Sequence, residues 1–271
     1  MRVSTRVTPA AGLAAAGPAL LLAAAMLPDL RPLVAVLLGA GWVALRASRR
    51  PGAIAWAAVL PVGLVMAWPW VLGADAPLGE AGCTDPLSVI ALRRVVAGAV
   101  ILAIVAAIAR AHGSTRAELG IARLGVGEGL VAAGGLVALV VGGLVIGPLV
   151  ARPFFGPLDF PVPPAALVPA VGFGVANGVL EELTYRGVMQ AWLGRLVPMT
   201  AAIATQALVF GIVHAGPEVV ALLPVHVALL TAVGAAGGWV RWRTGSLAIP
   251  IGIHVGADIA LYVGLACRAP G

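Results

Sequence analysis

An all-α, polytopic transmembrane helical bundle of about 8–9 spans is predicted by three features of this 271-residue sequence. Hydrophobic residues make up 61% of it, charged residues only 10%, and the mean hydropathy is +1.05. Soluble domains carry about a quarter charged residues, so lipid is the expected solvent for most of this chain. In hydrocarbon a helix satisfies its own backbone hydrogen bonds, and a span needs about 17 to 25 apolar residues.

Candidate spans follow in order over 9–28, 32–46, 52–72, 87–109, 129–150, 164–194, 198–214, 218–240 and 246–266. The first has Arg2 and Arg6 ahead of an Ala/Leu run, as a signal peptide does, and is read as an uncleaved span. The second is short. The fourth contains Arg93 and Arg94, which are costly in hydrocarbon, so these two segments are the least secure as spans.

All 17 basic residues are Arg, and the net charge of +6 arises from short clusters between apolar runs, which argues against a nucleic-acid surface. Arg46, Arg49 and Arg50, then Arg110, Arg116 and Arg123, then Arg186 and Arg195, then Arg241 and Arg243 fall at alternate ends of successive spans. All four groups thus share one side, expected to be cytoplasmic. That topology puts the N-terminus inside, and the loop with Asp75, Glu80 and Asp85 outside with the C-terminus. Cys83 and Cys267 then share the outer face, either as a disulfide or as two thiols, and neither has metal-ligand spacing. A Lys-free, Arg/Ala/Gly-rich composition suggests a GC-rich genome and a prokaryotic plasma membrane.

Thr115 to Glu118 has capping-box spacing, which suggests a short amphipathic surface helix, an ordinary loop being the alternative. Gly134-Gly135 and Gly142-Gly143 read as helix-packing surfaces, with no Gly-Lys-Ser/Thr motif to make them a phosphate cradle.

Glu181, Glu182, Asp258, His214, His226 and His254 all lie inside apolar segments. An ionisable group there is a functional-site hypothesis by default. In Asn177-Gly-Val-Leu-Glu181-Glu182-Leu-Thr-Tyr-Arg186, the acid Glu182 precedes Arg186 by four residues, the favourable order for a helical ion pair. Glu181 has no partner at that spacing and shares its face with Asn177 and Tyr185, free for water or substrate. Phe210 and His214 lie one turn apart, and so do His254 and Asp258. If 164–194 and 198–214 form a hairpin turning near Leu196, Glu181 and His214 come within roughly 3 Å of the same depth at about 1.5 Å rise per residue. His254 lies about 12 Å along the last span from its cytoplasmic end near Ser246 on the same rise, a compatible depth if the hairpin turn protrudes from the membrane.

The segments EELTYR, FGIVH and HVGAD, in this order on hydrophobic spans, resemble the EExxxR, FxxxH and HxxxN/D motifs of the CAAX-protease and bacteriocin-processing (Abi) family. The resemblance covers about 115 to 262 and divides the chain into N-terminal spans of unassigned role, 1–110, and a protease core, 111–271. It implies an intramembrane endopeptidase acting on a peptide or protein substrate within membrane lipid. Glu181 would activate a water with help from His214, and His254 and Asp258 would stabilise the oxyanion. Glu182, Arg186, Phe210 and Asn177 would support them. Asp258 stands where the family commonly has Asn, and an ionised Asp accepts hydrogen bonds without donating any. It therefore orients His254, holds its proton, or is itself protonated. No cofactor is expected, although Glu181, His214 and His254 also suit Zn²⁺. His226 matches no motif and is left to a structural or substrate-contact role. Two other functions fit the same residues: a proton-coupled transporter, whose inverted repeats are not visible, and a non-catalytic scaffold or immunity protein that keeps the fold.

Overall fold

The computed structural model describes residues 17, 19–21, 23–25, 27–50, 52–72, 86–121, 125–155, 164–214 and 223–266. The described residues are helical with short connections and no strand. A 3₁₀ turn at Pro28–Leu30 leads into α1 (Arg31–Ala47), followed by α2 (Ala53–Leu72), α3 (Pro86–Ala111), α4 (Val126–Phe155) and α5 (Pro164–Glu182). A π-helical stretch, Leu183–Met189, joins α5 to the single turn α6 (Gln190–Leu193), and α7 (Met199–Val213), α8 (Leu223–Thr244) and α9 (Ala248–Ala266) follow.

These helices match the hydropathy segments from 32 onward, because uninterrupted apolarity between Pro, Gly and Arg punctuation leaves little choice of boundary. Pro86 and Pro164 begin α3 and α5, where a missing N–H costs nothing. α1 stops in a Schellman motif: Arg50 N–H donates to the Leu45 carbonyl at 2.9 Å, and Arg49 sits at φ 53°. Glycine normally takes that left-handed position, and an L side chain there costs roughly 1 kcal/mol.

Arg93 and Arg94 do not interrupt the fourth segment, contrary to the expectation that it is among the least secure. Ala91–Ala111 is one of two described helical segments long and apolar enough to cross a membrane, Val126–Val145 being the other. The second segment forms a helix of 17 residues. Thr115–Glu118 also departs from the surface helix expected of its spacing. Glu118 N–H does donate to Thr115 Oγ1 at 3.1 Å, but residues 116–120 form turns rather than a surface helix, since the Glu118 carboxylate is taken by Arg195. Most of the 9–28 segment, the Asp75/Glu80/Asp85 loop, Cys83, Arg123, Glu218 and Cys267 lie outside the described residues.

α9 lies against α4 and α5, α5 against α3, α7 against α8, and α1 against α2. Close approach depends on glycine pairs four apart. A Cβ at Gly174 or Gly178 of α5 would come within 3.1 Å of backbone atoms of Val255 on α9. One at Gly252 or Gly256 of α9 would strike the Ala132 or Leu136 carbonyl of α4. Such small-residue contacts let backbones touch where lipid supplies no hydrophobic drive. Of the α4 glycines, Gly135 and Gly143 face α9 in this way, whereas Gly134 and Gly142 meet nothing within 4 Å.

The arginine-bearing connections gather at one end. Arg46 donates to the Ala111 carbonyl, Arg195 to the His112 carbonyl, Ser114 and Glu118, and Arg241 to the Glu118 carbonyl. Arg186 is not among them: it is 1% exposed and lies inside the bundle.

Candidate active site

α5 delivers Asn177, Glu181 and Glu182 on its last two turns, and the π-helical stretch begins at the next residue. π-Helical turns are rare and frequent at functional sites. This one carries Tyr185 and Arg186, both almost wholly buried, into the interior. Arg186 Nη1 donates to Glu182 Oε1 at 2.9 Å, the ion pair expected from the spacing. Its guanidinium carbon stands 4.2 Å from the centroid of Phe210, a cation–π contact. The glycine at 237 on α8 admits it, since a Cβ there would lie 3.3 Å from Arg186 Nε.

Phe210 is the plate on which the site is assembled. Its ring meets His214 at 4.4 Å, Tyr185 edge-on at 5.1 Å and His254 edge-on at 6.0 Å between centroids. The Nδ1 of His214 lies 2.7 Å from the Phe210 carbonyl. A carbonyl only accepts, so the proton sits on Nδ1 and the Nε2 lone pair points away from it. That Nε2 is 3.3 Å from Glu181 Oε2. The hairpin arithmetic therefore holds: the chain turns at 194–196, and Glu181 and His214 meet at one depth.

His254 comes in from α9. Its Nδ1 bonds Glu182 Oε1 at 2.8 Å, while Nε2 stands 3.6 Å from Asp258 Oδ2 and 3.7 Å from Glu181 Oε2. The carboxylate that aligns this imidazole is thus Glu182, because 3.6 Å is too long for a hydrogen bond. Asp258 Oδ2 instead accepts from Asn177 Nδ2 at 2.9 Å.

Sequence reasoning missed Arg94. From α3 it donates Nη2 to Glu181 Oε1 at 3.0 Å and Nε to Asn177 Oδ1. Glu181 is accordingly not a carboxylate without a partner, as the helical spacing suggested; its partner sits 87 residues earlier in the chain. The cost of an arginine in hydrocarbon was itself the available signal. His226 bonds the His214 backbone carbonyl through Nε2 at 3.2 Å, bracing the end of α7.

One atom stands out. Glu181 Oε2 is buried and makes no aligned hydrogen bond, yet it faces Nε2 of both His214 and His254. Such an orphaned acceptor is costly unless it is used. Among the described residues no group of three or more His, Cys, Asp or Glu is arranged to hold a metal ion.

Residues 163–260 match the family model described as type II CAAX prenyl endopeptidase Rce1-like. That segment contains every site residue named above except Arg94. No curated protein and no solved structure shows a significant match to the chain.

Proposed function

We propose, on the match of residues 163–260 to the type II CAAX prenyl endopeptidase Rce1-like family, that the chain is an endopeptidase that cleaves peptide bonds inside the membrane with a water activated by Glu181 and His214. The observation that carries this reading is the orphaned Glu181 Oε2 facing the His214 Nε2 lone pair at 3.3 Å. A water that caps both atoms from the side would offer one proton to each. Glu181 takes one proton as general base and His214 accepts a hydrogen bond from the other, which aims the oxygen. That oxygen bonds to the scissile carbonyl carbon, and the carbonyl π pair moves onto its own oxygen. Collapse of the tetrahedral intermediate breaks the C–N bond as Glu181 returns its proton to the leaving amine, so water and amide become acid and amine.

The oxyanion falls to His254. Glu181, Glu182 and Asp258 bring three negative charges, and Arg94 and Arg186 two positive ones. A doubly protonated His254 closes the balance, and its Nε2–H is then the donor the oxyanion needs. The donor set does not favour a bound dication, because both glutamates already hold a guanidinium within 3.0 Å.

The arginine distribution and the Lys-free composition, together with the apolar helices, favour a multi-pass protein of a prokaryotic plasma membrane with a cytoplasmic N-terminus. The gathering of its arginine-bearing connections at one end supports it. The substrate is a peptide or protein, reached from within the lipid. The test is cleavage of a fluorogenic peptide library by the purified chain, with and without chelator, beside Glu181→Ala. Chelator-resistant turnover that Glu181→Ala abolishes is expected. Turnover that chelator removes would overturn the metal-free mechanism, and turnover that survives in Glu181→Ala would overturn the site.

A further inference from the structure

At the arginine-rich end of the bundle lies a cavity of about 260 Å³ lined by Arg46, Arg49, Arg50, Ala53, Ile54 and His112, with none of the candidate active-site residues in its wall. We propose that this cavity binds a phosphate group, presented by an anionic phospholipid headgroup or as a free anion. Arg46, Arg49 and Arg50 line it from the end of α1 and the turn that follows it. Among the described residues no carboxylate comes within 4.0 Å of any of them, the nearby Glu118 being committed to Arg195. Other arginines at this end have protein partners: Arg241 donates to the Glu118 carbonyl and Arg243 lies 5.7 Å from the Trp239 ring. Arg49 and Arg50 have none among the described residues.

Two details show that the site is held in shape. Arg46 is anchored by one arm on the Ala111 carbonyl, which leaves its other N–H donors without a protein acceptor among the described residues. His112 accepts the Trp42 indole N–H on Nε2 at 3.0 Å, which leaves Nδ1–H as a neutral donor on the same wall. The arginine at 49 occupies a left-handed position where glycine would be strain-free, so its guanidinium is kept against a backbone cost. Forked donors of this kind match geminal phosphate oxygens bidentately. The apolar side formed by Ala53 and Ile54 suits the glycerol end of a lipid, and basic pockets between helices at a membrane surface are where such headgroups bind.

The experiment uses the full chain in nanodiscs of phosphatidylcholine, of phosphatidylcholine with phosphatidylglycerol, and of phosphatidylcholine with millimolar inorganic phosphate, read as melting temperature by tryptophan fluorescence. Wild type should melt several degrees higher with phosphatidylglycerol, in a saturable way. Arg49→Gly, which relaxes the backbone and removes the guanidinium, should melt no lower than wild type in phosphatidylcholine and still lose more than half of that increment. Arg50→Gln should lose a similar share. Inorganic phosphate that reproduces the increment assigns the site to a free anion, and inorganic phosphate without effect assigns it to the lipid. The proposal is overturned if both variants keep the full increment, which would be diffuse surface charge, or if neither probe stabilises wild type. Peptide cleavage is a separate readout, so failure here leaves the endopeptidase reading untouched.

Discussion

The guanidinium of Arg94 on α3 lies 3.0 Å from Glu181 Oε1 on α5, and its Nε–H holds Asn177 in the same grip. One oxygen of the proposed base is thereby fixed and neutralised while the other is left to act. Arg94→Met should lower kcat by about tenfold or more, since it frees both Glu181 and Asn177. Arg94→Lys keeps the charge but not the fork, and should recover folding and part of the rate. Wild-type kcat in Arg94→Met would remove Arg94 from the site.

Glu181→Gln and His214→Ala should each reduce peptide cleavage by about 10²–10⁴-fold with helicity and a cooperative melt retained. The check is turnover alongside circular dichroism. Near-normal turnover in either variant means that another group activates the water.

Glu182→Gln should melt earlier than Glu181→Gln. Glu182 neutralises Arg186, only 1% exposed, and also holds His254, whereas the partner of Glu181 is 17% exposed. Breaking a buried ion pair costs about 3–5 kcal/mol, and partial solvation softens the loss at Arg94. Thermal melts in one detergent compare the two, and the reverse order would mean that the roles of the carboxylates are exchanged.

Asp258→Asn should fold and keep turnover within about tenfold of wild type. The asparagine carbonyl replaces the acceptor that Asn177 uses at 2.9 Å, and the imidazole of His254 stays aligned by Glu182. A loss as deep as that of Glu181→Gln would show that the ionised carboxylate itself is required.

His112 titrates at the arginine-rich end, where burial, then Arg46 and Arg195, hold its pKa below the usual 6.5. A group with a lowered pKa binds fewer protons folded than unfolded, so its contribution to stability is full above about 6.5 and is lost as pH falls below it. The melting temperature of wild type should drop with acid over that window more steeply than that of His112→Gln. Parallel curves would mean that His112 protonates equally in both states.

The helix boundaries, the Glu182–Arg186 pair, the shared face of Phe210 and His214, and the meeting of Glu181 with His214 were legible in the chain. Each depends on local periodicity or on counting along a hairpin. Which carboxylate aligns His254 was not: helical spacing pairs it with Asp258, four residues away, yet the interhelical contact with Glu182 is shorter by 0.8 Å. The π-helical stretch at Leu183–Met189 was hidden as well, since nothing in its composition separates it from α-helix. Arg94 reads in one dimension as a flaw in an apolar run; it becomes a partner of Glu181 only where α3 packs on α5 and two charges share one dry interior. Periodicity along one chain sets which residues lie inside, whereas the pairing of charges depends on distances between helices, and those are decided by the glycine contacts that let the helices touch.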